Sequence, residues 1–290
     1  MWENFGKKKR FVYNSSYIFF FFFLFCYCFF SRDSVKSVSP HGGYTRKENK
    51  MNESFEKEFY LRTSDFDCRM ELCPSAILDL FQDVAGEHAR ALGIGREEMI
   101  EKRLIWVIVK ARYRILRMPR QFDRVRVRTW PLPPRRSIFQ REYLMMAADG
   151  APLVAGSSEW VVIHADRRRL VPVGDVYPEK DNFLPDHSFE DGFPRLSDFD
   201  GGEPAHTLTP TFTDLDVNGH VNNIRYTTYV MDALNPTEEE RVGELCIEYH
   251  REVQAGQPLS LSVRRDGGMA DVKGVGEDGA RMFTARVIFR

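Results

Sequence analysis

Residues 216–223 read Asp-Val-Asn-Gly-His-Val-Asn-Asn, which places a carboxylate, a carboxamide and an imidazole within five positions. Side chains alternate along an extended chain, so Asp216, Asn218 and His220 fall on one side. A carboxylate or imidazole can take a proton from water, and an amide can hold water or a carbonyl oxygen. The structural alternative is routine: Asp and Asn ahead of a helix are common N-caps, and a single His often only satisfies a hydrogen bond. What favours chemistry is an internal comparison. Residues 63–71 (Thr-Ser-Asp-Phe-Asp-Cys-Arg-Met-Glu) are echoed by residues 212–220 (Phe-Thr-Asp-Leu-Asp-Val-Asn-Gly-His) at a constant offset of 149. In the first copy Arg69 and Glu71 stand where the second has Asn218 and His220. A requirement for capping alone could have been met in both copies, so one copy reads as kept for chemistry and the other for shape.

The repeat extends to the elements around it. In the first half, residues 56–63 read as a strand, and residues 75–92 carry Ile77, Leu80, Phe81, Val84 and Ala85 at helical spacing before Gly93. Strands follow over 104–116, 125–130, 138–146 and 154–163, with Val125-Arg-Val127-Arg-Thr129 the clearest alternation. In the second half a strand is expected over 207–213 and a helix over 223–234, ended by Asn235-Pro236. Strands over 245–252, 259–265, 270–274 and 281–289 complete it. Two copies of strand, helix and four antiparallel strands indicate an α+β architecture with one central helix against each curved sheet. Residues 172–204, rich in Pro, Asp and Gly, read as a connection over the surface.

Composition admits an ordinary globular protein: 290 residues, 43% hydrophobic and 29% charged. Five cysteines, an odd number without zinc-site spacing, argue against a disulfide framework and for a reducing, cytoplasmic setting. The formal net charge of −1 conceals a strong asymmetry. Residues 1–50 hold 9 Lys/Arg and 3 Asp/Glu, and the remainder is acidic. Within that remainder, residues 103–141 hold 12 basic side chains and one acid, Asp123. A basic stretch on an acidic body points to an acidic partner at one face rather than to nucleic acid; solvated outer faces of strands are the alternative. Residues 1–50 include a run of 14 apolar or aromatic residues, 17–30, after Lys7-Lys8-Lys9-Arg10. That run is short for a membrane span of about 20 residues, and Ser31-Arg32-Asp33 is no cleavage site. Three readings stand: a start at Met51, which is favoured, a membrane anchor, or a signal. Membrane contact is expected only if the leader is real.

The second copy, Asp214-Leu-Asp216-Val-Asn218-Gly-His220-Val-Asn222-Asn223-Ile-Arg-Tyr226, with Ile247-Glu248-Tyr249-His250-Arg251-Glu252 downstream, resembles the acyl-acyl carrier protein (acyl-ACP) thioesterases of plants and bacteria. Leu104-Ile-Trp106-Val107, Asp123-Arg-Val125, Thr129-Trp130 and Ser158-Glu-Trp160-Val161 add support. The resemblance covers residues 55–290 and implies a double (tandem) hotdog fold. Its halves would be 51–171, shaping an acyl pocket, and 206–290, carrying the chemistry, joined by a linker over 172–205. It implies hydrolysis of fatty acyl-ACP without metal or cofactor, acyl carrier protein as partner, and the catalytic set Asp216, Asn218, His220 and Glu252. Plant members follow the Glu with a Cys once considered a nucleophile; here that position is Val253, so activated water is the expected route. Cys246 is expected, by strand alternation, to share a face with Glu252. Either Glu252 or Asp216 would be the base, with backbone N–H groups near Asn222 and Asn223 receiving the oxyanion.

Ile77, Phe81, Trp106 and Ile108 are candidates for the pocket, each with plain core as the alternative. Arg124, Arg126 and Arg128, on one face of a strand, with Arg135 and Arg136 in the adjoining turn, are candidates for binding the carrier protein. An acyl-CoA thioesterase, a hotdog hydratase and a non-catalytic acyl-binding module are the rival functions, and a homodimer is compatible with the sequence. Gly274-Val-Gly276-Glu-Asp-Gly279 matches a dinucleotide fingerprint, but it lies between strands and reads as a hairpin turn. Glu87 and His88 lack partners at metal-ligand spacing and read as helix-surface or tunnel residues.

Overall fold

The computed structural model describes residues 53–177, 183–196, 198–200 and 202–290. The expectations for residues 1–50 and for a start at Met51 lie outside the described residues. Ten strands form one antiparallel sheet in the order β1-β3-β4-β5-β2-β7-β10-β9-β8-β6. The first half supplies β1 (Phe55–Tyr60), β2 (Leu104–Ile115), β3 (Arg124–Pro131), β4 (Phe139–Ala147) and β5 (Pro152–His164). The second supplies β6 (Glu203–Leu208), β7 (Val242–Tyr249), β8 (Leu259–Asp266), β9 (Met269–Gly276) and β10 (Arg281–Phe289). The two halves are therefore not two sheets, as the repeat alone suggested. β2 and β7 pair from Lys110↔Glu248 to Arg114↔Glu244 and fuse them edge to edge. This pairing satisfies the backbone groups that two separate edges would expose.

Both long helices lie on one face of that sheet and contribute to a single core. α1 (Pro74–Ala91) begins with Pro at its first turn, where the missing N–H costs nothing. It buries Ile77, Leu78, Phe81, Val84, Ala85 and His88, spaced by three and four residues. α3 (Asn223–Leu234) buries Tyr226, Tyr229, Val230, Ala233 and Leu234 and stops at Asn235 in the left-handed region (φ 40°). The strands face them with alternate residues: Val125, Val127 and Thr129 of β3 are fully buried while the arginines between them point outward.

Differences from the expected elements have local causes. A short helix α2 (Arg96–Glu101) lies between α1 and β2. β6 ends at Leu208 rather than 213: Pro210 has no N–H for a ladder, and Asp214 draws residues 212–214 into a 3-10 turn. β7 ends at Tyr249, so Glu252 lies beyond the strand and alternation no longer relates it to Cys246. Phe189 and Phe199 of the connecting segment pack on the sheet's other face, Phe189 under Arg112 (4.2 Å) and Phe199 under Arg264 (4.7 Å). Gly276 and Gly279 form the β9–β10 turn, as expected, with Gly279 N–H donating to Gly276 O at 3.0 Å. Among the described residues, no helix is long and apolar enough to cross a membrane.

Candidate functional site

The loop before α3 is built on Asp216. Its Oδ1 accepts the N–H groups of Asn218 (2.8 Å) and His220 (3.3 Å), and its Oδ2 accepts the Asn218 side-chain N–H (3.1 Å). Asp216 N–H donates to His220 O at 2.8 Å, and Gly219 turns the chain with φ 77°, which its missing side chain permits. Asn222 then caps α3 by accepting the Ile224 N–H at 3.1 Å. The loop displays Asn218 at the surface and leaves His220 half-buried.

Glu252 reaches this loop through the residue after it. Val253 N–H donates to the Tyr226 hydroxyl at 3.0 Å, and Val253 O accepts the Val221 N–H at 3.3 Å. Its side chain is 1% exposed, locked in the core beneath α3. Val253 thus fixes backbone here. The result is a contact of 3.6 Å between His220 Nδ1 and Glu252 Oε1. Burial raises the Tyr226 phenol to about 12, so at neutral pH it stays protonated. From the first half, Arg96 Nη2 of α2 lies 3.5 Å from Asn218 Oδ1.

A narrow cleft opens beside the first turn of α3. Its walls include Asn223, Ile224 and Tyr249 from the second half and Phe81, Ile108 and Tyr143 from the first. Of the four expected pocket residues, Phe81 and Ile108 line this cleft. Ile77 does not; it is fully buried core. Trp106 is also diverted: its indole N–H donates to Ile94 O (2.9 Å) and its ring meets Phe139 edge-on, in a separate cluster. Cys246 is 2% exposed and points away from the helices, between Arg112 and Arg286, its cross-strand partners. Burial pushes its thiol up to about 12, which makes it a poor nucleophile.

The basic stretch is largely neutralised by acids from distant positions. Seven of its 12 cations have a carboxylate within 4.0 Å. Arg124 pairs with Glu58 (2.7 Å) and Arg126 with Glu56 (3.0 Å), both from β1. Arg128 bonds Ser54 and lies over Trp130. Arg135 and Arg136 are exposed in the turn before β4. The expected concentrated face is therefore much weaker than the chain order implied.

Sequence reasoning missed Val253 as a backbone clamp, Tyr226 as its anchor and Arg96. Tyr226 stands four residues after the cap Asn222, a spacing that puts it on the first helical turn. His88 is a buried side chain of α1, its Nδ1 2.9 Å from Arg141 Nη1, and not a surface residue. Glu87 pairs with Lys57 at 2.5 Å. No group of metal-ligating side chains occurs among the described residues.

Residues 52–180 match the acyl-ACP thioesterase N-terminal domain and residues 200–287 the acyl-ACP thioesterase C-terminal domain. A chloroplastic palmitoyl-acyl carrier protein thioesterase of Cuphea hookeriana is 29% identical over 217 residues, 68% of this chain and 51% of that protein. An oleoyl-acyl carrier protein thioesterase of Coriandrum sativum is 28% identical over 225 residues, 69% of this chain and 60% of that protein. The chain thus spans about half the length of the curated relatives it matches. An acyl-ACP thioesterase from Bacteroides thetaiotaomicron superposes with a TM-score of 0.75 at 24% identity, over 83% of this chain and all of that one. The 12:0-ACP thioesterase from Umbellularia californica superposes with 0.74 at 24% identity, over 82% and 97%. With both of its domains matched in order and this sheet shared, the chain belongs to the acyl-ACP thioesterase family and has its double hotdog fold.

Proposed function

We propose that the chain hydrolyses the thioester of fatty acyl-ACP and releases a free fatty acid. The observation that carries this reading is the 3.6 Å contact of His220 Nδ1 with Glu252 Oε1, at the loop that leads into α3, whose first residues Asn223 and Ile224 line the cleft shared by the two halves. Glu252 is the base of choice between the two carboxylates. Both oxygens of Asp216 already accept bonds that shape the loop, whereas Glu252 is exposed and, among the described residues, its ion-pair partner is His220. Glu252 takes a proton from water as the water oxygen attacks the carbonyl carbon. His220 orients that carboxylate and relays the proton from Glu252 to the departing thiolate sulfur as the tetrahedral intermediate collapses and the C–S bond breaks; Asn218 holds the water or the carbonyl.

The oxyanion would meet the Asn223 N–H. The other early N–H groups of α3 are spent: Asn222 on Asp214 O, Ile224 on the Asn222 side chain and Arg225 on Asn222 O. A donor at a helix N-terminus suits a developing negative charge. In this division residues 206–290 supply the chemistry, residues 51–171 supply most of the acyl pocket, and residues 172–205 link the two. The acyl carrier protein is the proposed partner. The pairing of Arg124 and Arg126 with β1 glutamates leaves acyl-CoA as the second reading.

The test is thiol release by the full chain from acyl-ACP and from acyl-CoA. His220→Ala and Glu252→Ala should each lower turnover by about 10²–10⁴-fold, the usual worth of acid–base catalysis. Full activity in both variants would remove the proposed site, and faster release from acyl-CoA would reassign the substrate.

A further inference from the structure

The cleft is lined mainly by apolar surface, yet three hydrogen-bonding side chains that a plain hydrocarbon chain does not require stand together in its wall. Trp160 Nε1–H donates to Ser158 Oγ at 2.7 Å, and Tyr143 Oη pairs with the same oxygen at 2.9 Å. All three side chains line the cleft, and Tyr143 and Ser158 are only 2% and 3% exposed. Their hydrogens can be counted. The indole, the serine and the phenol bring one each, and the two bonds use two. If the phenol donates to the serine, the serine hydrogen is left; if the serine donates, the phenol hydrogen is left. In either arrangement one buried O–H is left over, because the other side chain that hydrogen-bonds these two oxygens, Trp160, can only donate.

The charge behind the wall has the matching sign. Arg141, the cross-strand partner of Ser158, is buried, and its guanidinium bonds to His88 Nδ1 (2.9 Å) and Thr129 Oγ1 (3.2 Å). No carboxylate pairs with it among the described residues. A cation in a dry interior favours an electron-rich atom nearby. An alkyl chain against this wall strands the remaining O–H, while an oxygen carried by the chain accepts it.

We infer that the acyl pocket receives chains bearing an oxygen, a hydroxyl or a keto group, and that Ser158 and Tyr143 select for it. This rests on the reading of the chain as an acyl thioester hydrolase. A buried hydrogen bond gained instead of lost is worth about tenfold or more in discrimination.

The experiment uses the full chain and saturated acyl-ACPs of one length, unsubstituted or hydroxylated at successive carbons. At one or two adjacent positions the hydroxylated substrate should exceed its parent in kcat/KM by about tenfold. In the double variant Ser158→Ala/Tyr143→Phe that ratio should fall to near one, whatever happens to the absolute rate. Either single change leaves one hydroxyl able to donate, so a smaller fall is expected there. Calorimetric binding of the free hydroxylated and unsubstituted fatty acids to the unaltered chain gives the same comparison without catalysis or mutation. The inference is overturned if no position is preferred in either measurement, or if the preference survives in the folded double variant. If no acyl-ACP is hydrolysed at all, the hydrolase reading fails, and the binding comparison still decides the selectivity.

Discussion

In the loop before α1, Asp67 Oδ1 accepts the N–H groups of Arg69 (2.8 Å) and Glu71 (3.0 Å). In the loop before α3, Asp216 Oδ1 accepts those of Asn218 (2.8 Å) and His220 (3.3 Å). The match continues outward. Residues 70 and 219 both have positive φ, at 63° and 77°, and the bridges Phe66↔Leu72 and Leu215↔Val221 close the two loops in the same way. The backbones agree, and the side chains part company. In the first loop Arg69 donates to Asp67 and to the carbonyls of Thr237 and Glu240, while Glu71 meets Arg241 at 3.3 Å. Thr237, Glu240 and Arg241 belong to the other half, so the first loop acts as a clasp between halves. In the second loop His220 meets Glu252 at 3.6 Å, and Asn218 lies 3.5 Å from Arg96. One backbone design, used twice, carries a clasp between halves in the first copy and the proposed reacting group in the second.

The largest contrast should come from the two aspartates. Asp216→Ala removes the acceptor that positions both Asn218 and His220, and turnover should fall by about 10²–10⁴-fold. Asp67→Ala disturbs the same backbone in the other half and should leave turnover per folded molecule unchanged. Equal losses, measured with one acyl-ACP, would show that both loops serve the chemistry.

Stability should show the reverse pattern. Arg69 is 15% exposed at its side chain and spans both halves, so Arg69→Ala should cost about 1–3 kcal/mol in denaturant unfolding. Its partner adds a pH signature. Burial pushes the Asp67 carboxyl up, but the N–H of Glu71 and the N–H and guanidinium of Arg69 outweigh that and hold it below the usual range. Its stabilisation is thus present above the unfolded value near pH 4 and is lost as pH falls through the lower folded value. Asp67→Asn should therefore destabilise at neutral pH, and the gap to the parent should close in acid. A gap independent of pH would mean that the carboxylate charge is not what the clasp uses.

The smallest effect is expected at Val253. Its backbone clamps Glu252 and its side chain only fills core, so Val253→Cys should cost no more than about 1.5 kcal/mol and leave turnover near that of the parent. Mass spectrometry should find no acyl group on the new thiol. A trapped acyl-enzyme would show that a nucleophile at this position can take over the reaction.

Much of the fold was legible in local signals. The 149-residue offset paired the halves, and the expected helix over 223–234 is α3 itself, because an Asn cap and the Asn-Pro stop mark both ends. Misplaced ends, at β6 and β7, came where a Pro or a capping Asp competes with strand periodicity. Among the expected pocket residues, Phe81 and Ile77 sit on the same helix with the same apolar character. Only Phe81 lies beside the cleft, stacked on Tyr143 at 4.6 Å and so close to Gly156 that a Cβ there would lie 2.2 Å from its ring.

By itself the sequence determined the elements, the doubled loop and the chemical difference between its copies, because caps, turns and periodicity act over a few residues. Tertiary structure decided three things: the fusion of the halves through β2 and β7, the meeting of His220 with Glu252, and the neutralisation of the arginines by β1. Each depends on residues far apart in the chain. Side-chain type says that Glu58 can pair with an arginine, but only the register of β1 on β3 puts Arg124 within reach. Charge summed along a chain cannot give the field at a surface, since folding sets which charges lie within a few ångströms of one another.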